Sequence, residues 1–229
     1  TYTAKLVCTT FYVSLGTYTN EETISVLVRP LPTSVISGSQ TICNGATTSN
    51  ISIALTGTQP WNLTYTDGTT PVNVTGITTS PYTFTKTLTA SQTYTVSALS
   101  DVNCTSQVSG RTGSAVITVR PAFTSGTIAS TGETICNGGT PATTIGSTIN
   151  ASGGDNTITY SWRSSADGYT AAIGGATSST YLPPSGLTTT TSYQRYAKDG
   201  TCNTTPTVSS GTWTVTVNPL PSPAGTIIG

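Results

Sequence analysis

Apolar and polar residues alternate along much of the chain with a period of two, which is typical of half-buried β-strands. In segment 51–55, for example, three aliphatic residues alternate with a serine and an alanine. The same alternation occurs at 61–65, 82–84, 94–98, 115–119, 158–162 and 213–217. The strand around Tyr193 matches less well, because Arg195 interrupts its alternation. No segment has the 3.6-residue period of an amphipathic helix, so the pattern predicts an all-β chain.

Three sequence markers recur in the same phase. The sequence T-I-C-N-G occurs at 41–45 and again at 134–138. An apolar strand ends in Val-x-Pro at 28–30, 119–121 and 217–219. A tyrosine precedes a cysteine three times, as Tyr2 before Cys8, Tyr94 before Cys104 and Tyr193 before Cys202. These markers indicate an internal repeat of roughly ninety residues.

The markers divide the chain into four parts. We predict that 1–33 holds the C-terminal strands of a truncated repeat and that 221–229 begins another. Two complete repeats lie between them, at 34–121 (segment I) and 122–220 (segment II). Several short strands per repeat, with a tryptophan on the third, are the pattern of an immunoglobulin-like β-sandwich. We therefore expect tandem immunoglobulin-like sandwiches in a linear array. Trp61 and Trp162 lie in phase with the apolar strand face, so we expect them in the cores.

Composition excludes several functions. Only 7% of residues are charged, the net charge is 0 and histidine is absent, which argues against nucleic-acid binding and nucleophilic catalysis. No run of about 20 apolar residues suggests membrane insertion. Asp67, Asp167 and Asp199 each precede a glycine and are interpreted as turn residues. We expect no enzyme activity, no catalytic residue, no metal and no cofactor.

Five cysteines without histidine indicate disulfides, and hence an oxidising, extracellular location. Two pairings are open. Pairing within repeats is the default interpretation and would join Cys43 to Cys104 and Cys136 to Cys202. The two cysteines of one repeat lie in loops that are expected at opposite poles of its sandwich, however, and a disulfide needs its two Cα atoms close together. A bond across repeats, from Cys43 to Cys202, would avoid that difficulty. Cys8 is expected to have its partner outside this sequence.

The runs at 36–45, 93–98 and 115–121 (I-S-G-S-Q-T-I-C-N-G, T-Y-T-V-S-A and A-V-I-T-V-R-P) resemble a known family. They are similar to the PKD-like or immunoglobulin-like repeats of very large Bacteroidota cell-surface proteins, such as gliding-motility adhesins exported by type IX secretion. The resemblance covers both complete repeats and the partial first one. It implies a fibrous extracellular surface protein and supplies no catalytic residues.

Together these observations predict the shaft of a bacterial surface adhesin or filament, which projects an adhesive tip and contacts neighbouring repeats of its own chain. Two alternatives stay open. The repeats themselves could bind polysaccharide or other cells, with Tyr169 and Tyr181 as candidate ligand contacts, or they could pair laterally through sheet edges into a filament.

Overall fold

The computed structural model describes the backbone of residues 2–12 and 16–221 and the side chains of residues 27–221. Its first eleven strands are β1 (Tyr2–Tyr12), β2 (Gly16–Val26), β3 (Ser34–Ser37), β4 (Gln40–Ile42), β5 (Ile51–Leu55), β6 (Trp61–Thr66), β7 (Pro71–Ile77), β8 (Tyr82–Phe84), β9 (Gln92–Ser100), β10 (Arg111–Gly113) and β11 (Ala115–Val119). The remaining strands are β12 (Thr127–Ile128), β13 (Glu133–Cys136), β14 (Ser147–Ile149), β15 (Thr159–Ser164), β16 (Thr191–Lys198), β17 (Thr207–Val208) and β18 (Trp213–Asn218).

Strands β1 and β2 form an antiparallel pair, with Tyr2 opposite Val26 and Tyr12 opposite Gly16. The backbone of Cys8 lies opposite Asn20 in this pair. The side chain of Cys8 lies outside the described residues, so its predicted external partner stays a prediction.

Strands β3 to β11 form two sheets, with the strand orders β10-β3-β5-β8 and β4-β11-β9-β6-β7. The alternation predicted for 51–55 is present in β5, where Ile51 and Ile53 are fully buried. Phe84 of the first sheet stacks on Tyr65 of the second, with ring centroids 4.1 Å apart. The two sheets therefore pack face to face around one apolar core, which also contains Trp61 as predicted.

Strands β12 to β18 form a second sandwich. One side is the antiparallel pair β12-β14, and the other is the sheet β13-β18-β16-β15, with β17 paired to β16. The core centres on Trp162, which is fully buried, and on Tyr193 and Trp213. The first strand of the larger sheet, β13, runs parallel to its last, β18, with Glu133 opposite Val215.

Arg195 occupies a core position in this second sandwich. Along β16 the buried residues are Thr191, Tyr193, Arg195 and Ala197, so the arginine continues the inward-facing series. Its guanidinium donates to four neutral oxygens, namely Ser209 Oγ (3.0 Å), Ser179 O (3.1 Å), Ser125 O (3.4 Å) and Ser147 Oγ. It also lies 4.9 Å from the centre of the Tyr160 ring. Burial lowers the pKa of Arg195 from its ordinary value.

The chain forms two compact units. Of the described residues, the first unit contains 2–12, 16–40, 48–86 and 92–117. The second contains 41–47, 87–91 and 118–221. The chain is all-β, and its sandwiches are immunoglobulin-like, as predicted; the repeat boundaries at 33/34, 121/122 and 220/221 stay predictions. Within residues 2–12 and 16–221 the only helical segments are two short 3-10 turns, so no described helix could cross a membrane.

Candidate functional site: the cysteine loops

A disulfide joins Cys43 to Cys202, which are 159 residues apart in sequence. Their Cα atoms are 5.5 Å apart, within the range that a disulfide requires. Both cysteines belong to the second compact unit. The bond therefore connects a loop of segment I to a loop of segment II, as in the cross-repeat pairing. Pairing within repeats is wrong: Cys104 and Cys136 are free thiols.

The T-I-C-N-G sequence at 41–45 forms a tight turn directly after β4. Gly45 has a φ of 76°, in the left-handed region that glycine adopts without strain. Three hydrogen bonds hold the turn: Gly45 N to Leu88 O (2.9 Å), the Asn44 side-chain amide to Thr89 O (3.0 Å) and Ala46 N to Cys43 O (3.0 Å). Because residues 88 and 89 lead into β9, Cys43 lies near the start of that strand.

The T-I-C-N-G sequence at 134–138 forms the same turn at the end of β13. Gly138 has a φ of 75°. The corresponding hydrogen bonds run from Gly138 N to Leu187 O (2.8 Å), from the Asn137 side-chain amide to Thr188 O (3.2 Å) and from Gly139 N to Cys136 O (2.8 Å). Both copies therefore hold their cysteine in the same backbone environment, ahead of β9 and β16 respectively.

Cys202 lies in a loop that follows β16 and is organised by Asp199, which is 2% exposed. One carboxylate oxygen of Asp199 accepts backbone N–H bonds from Thr201 (3.0 Å), Cys202 (2.6 Å) and Asn203 (2.6 Å). The other oxygen accepts a bond from the backbone N–H of Asp155 (3.3 Å). A carboxylate that accepts this many donors fixes the loop, and with it the position of the Cys202 sulfur.

Cys104 lies in the equivalent loop after β9, and Asp101 organises it in the same way. One carboxylate oxygen of Asp101 accepts N–H bonds from Asn103 (2.8 Å) and Cys104 (2.7 Å), and the other accepts one from Thr58 (2.9 Å). Sequence reasoning interpreted Asp199 as a turn residue but did not use Asp101. The recurrence of D-x-x-C at 101–104 and 199–202 was the available signal.

The positions of the loops explain why pairing within a repeat fails. Cys43 lies at the start of β9, whereas Cys104 follows its end. Strand β9, which runs between the two loops, has nine residues and is roughly 30 Å long at about 3.3 Å per residue. In segment II, strand β16 likewise runs between the turn that holds Cys136 and the loop that holds Cys202. Strands of these lengths far exceed the separation of about 7 Å between Cα atoms that a disulfide allows.

Further contacts surround the disulfide within the second unit. The backbone N–H of Arg120 donates to Ile42 O (2.9 Å), and that of Gly154 donates to Pro121 O (2.9 Å). The Arg120 guanidinium lies 3.7 Å from an Asp155 carboxylate oxygen. Such a partly exposed ion pair contributes little stability, so the covalent bond and the backbone bonds dominate here.

The aspartates of these loops are occupied as hydrogen-bond acceptors. The pKa of Asp101 lies below its ordinary value, chiefly because the Thr58 N–H bonds to the carboxylate. At Asp199 burial raises the pKa, but the N–H bonds of its own loop outweigh burial and the net pKa is lowered. Backbone N–H bonds likewise lower the pKa of Asp67 and Asp167, the two other predicted turn residues. Carboxylates held ionised in this way are poor proton donors at neutral pH.

The two candidate ligand-contact residues lie in different surroundings. Tyr181 is half-buried and stacks against Trp162 and Tyr193, with ring centroids 5.5 Å apart in both pairs. The Tyr181 ring packs against the core of the second sandwich, and its role as a ligand contact stays a prediction. Tyr169 is half-buried in a loop and has a φ of 64°, which is unusual for a residue other than glycine. Its role as a ligand contact stays a prediction.

Among the described side chains, those of residues 27–221, no group of three or more His, Cys, Asp or Glu is placed to hold a metal ion.

The family described as Domain of unknown function (DUF8696) matches residues 124–219. A comparison with curated proteins finds no match. Among solved structures, an I-band fragment of titin is 14% identical, with a TM-score of 0.49, over 84% of this chain and 67% of that chain. The fibronectin(III)-like modules of Clostridium thermocellum CbhA are 15% identical, with a TM-score of 0.32, over 81% and 94%. Immunoglobulin domains from a complex of Dpr2 with DIP-Theta are 14% identical, with a TM-score of 0.35, over 82% and 67%. No function is transferred from these similarities.

Proposed function

We propose that this chain is part of the shaft of a secreted bacterial cell-surface adhesin or filament and that it projects an adhesive tip away from the cell. Its parent would be of the gliding-motility adhesin type, exported by type IX secretion, and its role would be mechanical rather than enzymatic. The single observation that carries the proposal is the Cys43–Cys202 disulfide, which links a loop of segment I covalently to a loop of segment II.

A disulfide in this position suits a load-bearing extracellular protein. Disulfides persist in oxidising surroundings outside the cell. In the chain-entropy account, closing a loop of 159 residues stabilises the folded state by about 5 kcal/mol. The covalent link also holds the two segments together when one of them opens under load.

The surface chemistry is that of a spacer. Along β9 the exposed positions include Thr93, Thr95 and Ser97, while Tyr94 and Val96 face the core. With only 7% charged residues and no net charge, such a hydroxyl-rich surface exerts little long-range electrostatic attraction on other molecules. A shaft of this kind would extend without binding its surroundings.

The proposal is tested by placing the chain between a bead and a lectin tip of known glycan specificity. We expect the tip to hold the bead to its glycan under flow, and we expect beads that carry the chain without the tip not to adhere to a glycan array or to whole cells. Multimerising the chain on the beads recovers avidity, so that weak contacts are detected. Saturable adhesion of beads without the tip would overturn the spacer role.

A second candidate function is that the repeats bind polysaccharide themselves, and the left-handed conformation of Tyr169 favours it. Residues held in sparsely populated backbone conformations cluster at binding sites. Under this candidate, adhesion without the tip would be lost in Tyr169→Ala and kept in Thr170→Ala, which changes the neighbouring side chain. Adhesion that survives Tyr169→Ala would remove Tyr169 from the binding site.

A further inference from the structure

The two free cysteines occupy positions at which the other copy of the same loop carries a disulfide. Cys136 is exposed and Cys104 is half-buried. Cys136 and Cys43 are each the third residue of a T-I-C-N-G sequence. Cys104 and Cys202 are each the last residue of a D-x-x-C sequence. Each thiol is thus the counterpart of one half of the Cys43–Cys202 bond.

The turn around Cys136 is already in the conformation that the bonded turn adopts. The φ angles of Gly45 and Gly138 are 76° and 75°. The side-chain amide of Asn44 donates to a carbonyl just before β9, and that of Asn137 donates to a carbonyl just before β16. The turn at Cys136 therefore already has the backbone conformation in which Cys43 forms its disulfide, and Cys136 is preorganised for the same bond.

The loop around Cys104 shows the same correspondence with Cys202. In both loops the aspartate three residues earlier accepts the cysteine N–H, at 2.7 Å for Cys104 and 2.6 Å for Cys202. In both, its second oxygen accepts an N–H from the connection that precedes the tryptophan strand, from Thr58 or from Asp155. The same pair of aspartate bonds therefore holds the backbone at Cys104 and at Cys202, although the loop closes at Cys104 O in the first and at Asn203 O in the second.

We propose that the Cys43–Cys202 bond is one link of a series, in which each T-I-C-N-G cysteine bonds to the D-x-x-C-type loop cysteine of the next repeat. Cys136 bonds to the loop cysteine of a following repeat, and Cys104 bonds to the T-I-C-N-G cysteine of a preceding repeat. The inference rests on the tandem arrangement that the proposed function also assumes.

The chemistry of each link is an oxidation by a disulfide-bearing protein oxidant. Two thiols of the chain lose two electrons and two protons, one S–S bond forms between them, and the S–S bond of the oxidant is reduced to two thiols. The partner sulfurs meet because the loops meet, as they do at Cys43 and Cys202. A thiol–disulfide exchange of this kind needs no metal and no other co-reactant.

The test extends the chain by one repeat in phase. A second copy of residues 122–219 is joined after Pro219, and the oxidised protein is alkylated with N-ethylmaleimide and mapped by mass spectrometry without reduction. We expect Cys136 to be bonded to the Cys202 counterpart of the added copy, while the Cys136 counterpart in that copy is alkylated. In the original chain Cys136 should be alkylated, and Cys43–Cys202 should be bonded in both proteins, which reports that each is folded.

The matched control changes the Cys202 counterpart of the added copy to serine, and Cys136 should then be alkylated. A second extension, with a copy of residues 31–121 in place of residues 1–30, should move Cys104 from the alkylated to the bonded state. The series is overturned if Cys136 stays alkylated in the extended chain or bonds to Cys104 or to Cys202 of its own repeat. This bond map does not depend on bead adhesion, so failure of the spacer role and failure of the series are distinguishable.

Discussion

The disulfide predicts how far the chain extends when it is pulled from its two ends. Force passes through the Cys43–Cys202 bond, so the chain between these residues carries no load while the bond is intact. The 159 residue steps between the cysteines, at about 3.6 Å each when fully extended, amount to about 570 Å of hidden length.

Single-molecule force spectroscopy measures this length directly. We expect reduction of the disulfide to lengthen the fully unfolded chain by about 570 Å, since the peptide enclosed by the bond is then released. The variant Cys43→Ser should show the long form without reduction. The matched control Cys136→Ser, which removes a free thiol, should behave as the unmodified chain does.

One result would refute the pairing. If the cysteines paired within repeats, Cys43→Ser would keep a Cys136–Cys202 bond that encloses 66 residues (202 − 136). Reducing that variant would then release about 240 Å, at the same length per extended residue. We expect no such release, and its observation would contradict the cross-repeat bond.

Three further predictions concern the second sandwich, each read from thermal unfolding. Arg195→Lys should lower stability by about 1–3 kcal/mol, since one ammonium group cannot replace a planar guanidinium that bonds four oxygens. Gly154→Ala should destabilise more than Gly168→Ala, because both glycines have positive φ but only at Gly154 would the methyl group overlap the Asp199 carboxylate; equal losses would refute the close approach. The melting temperature should fall as pH drops below 3.8, the ordinary pKa of an aspartate. The folded state lowers the pKa of Asp199, so the ionised carboxylate stabilises the fold above pH 3.8, and this stabilisation is lost as pH falls through the pKa of the folded state. Asp199→Asn should be less stable at pH 7 and flatter with pH; an unchanged pH profile would contradict the role of the carboxylate.

Sequence patterns predicted the fold wherever burial follows a simple period of two. The strands at 51–55, 82–84 and 115–119 have the predicted bounds, and Trp61 and Trp162 are buried as predicted. At these places one strand face is uniformly apolar, so the pattern alone identifies the core side. Short strands such as β10 and β17 carry too few residues for a period to be visible.

Arg195 shows where such reasoning fails. An arginine at an inward-facing position looks like a break in the strand, because burying a charge without partners is costly. The partners are hydroxyl and carbonyl oxygens that come from four separate parts of segment II, and no local pattern reveals them. The strand is regular, and the arginine is part of its core.

The disulfide pairing needed three-dimensional information of another kind. Spacing along the chain does not distinguish Cys104 from Cys202 as the partner of Cys43. The distinction comes from strand β9, which carries the chain from the T-I-C-N-G end of the sandwich to the opposite end. Sequence reasoning raised this geometrical difficulty, and the structure shows its consequence in the bond that forms.

The Cys43–Cys202 bond also determines what happens when a protease cuts the chain. A single cut anywhere between the two cysteines leaves both fragments joined through the sulfur atoms, so nothing is released. If the bond recurs along a series of repeats, the segments that successive disulfides enclose overlap. Residues 43–104 are also enclosed by the preceding disulfide and residues 136–202 by the following one, while residues 104–136 are enclosed by the Cys43–Cys202 bond alone. Every peptide bond between the first and the last bonded cysteine of such a chain would be enclosed by at least one disulfide. A nicked protein would therefore stay in one piece and keep its distal end attached to the cell.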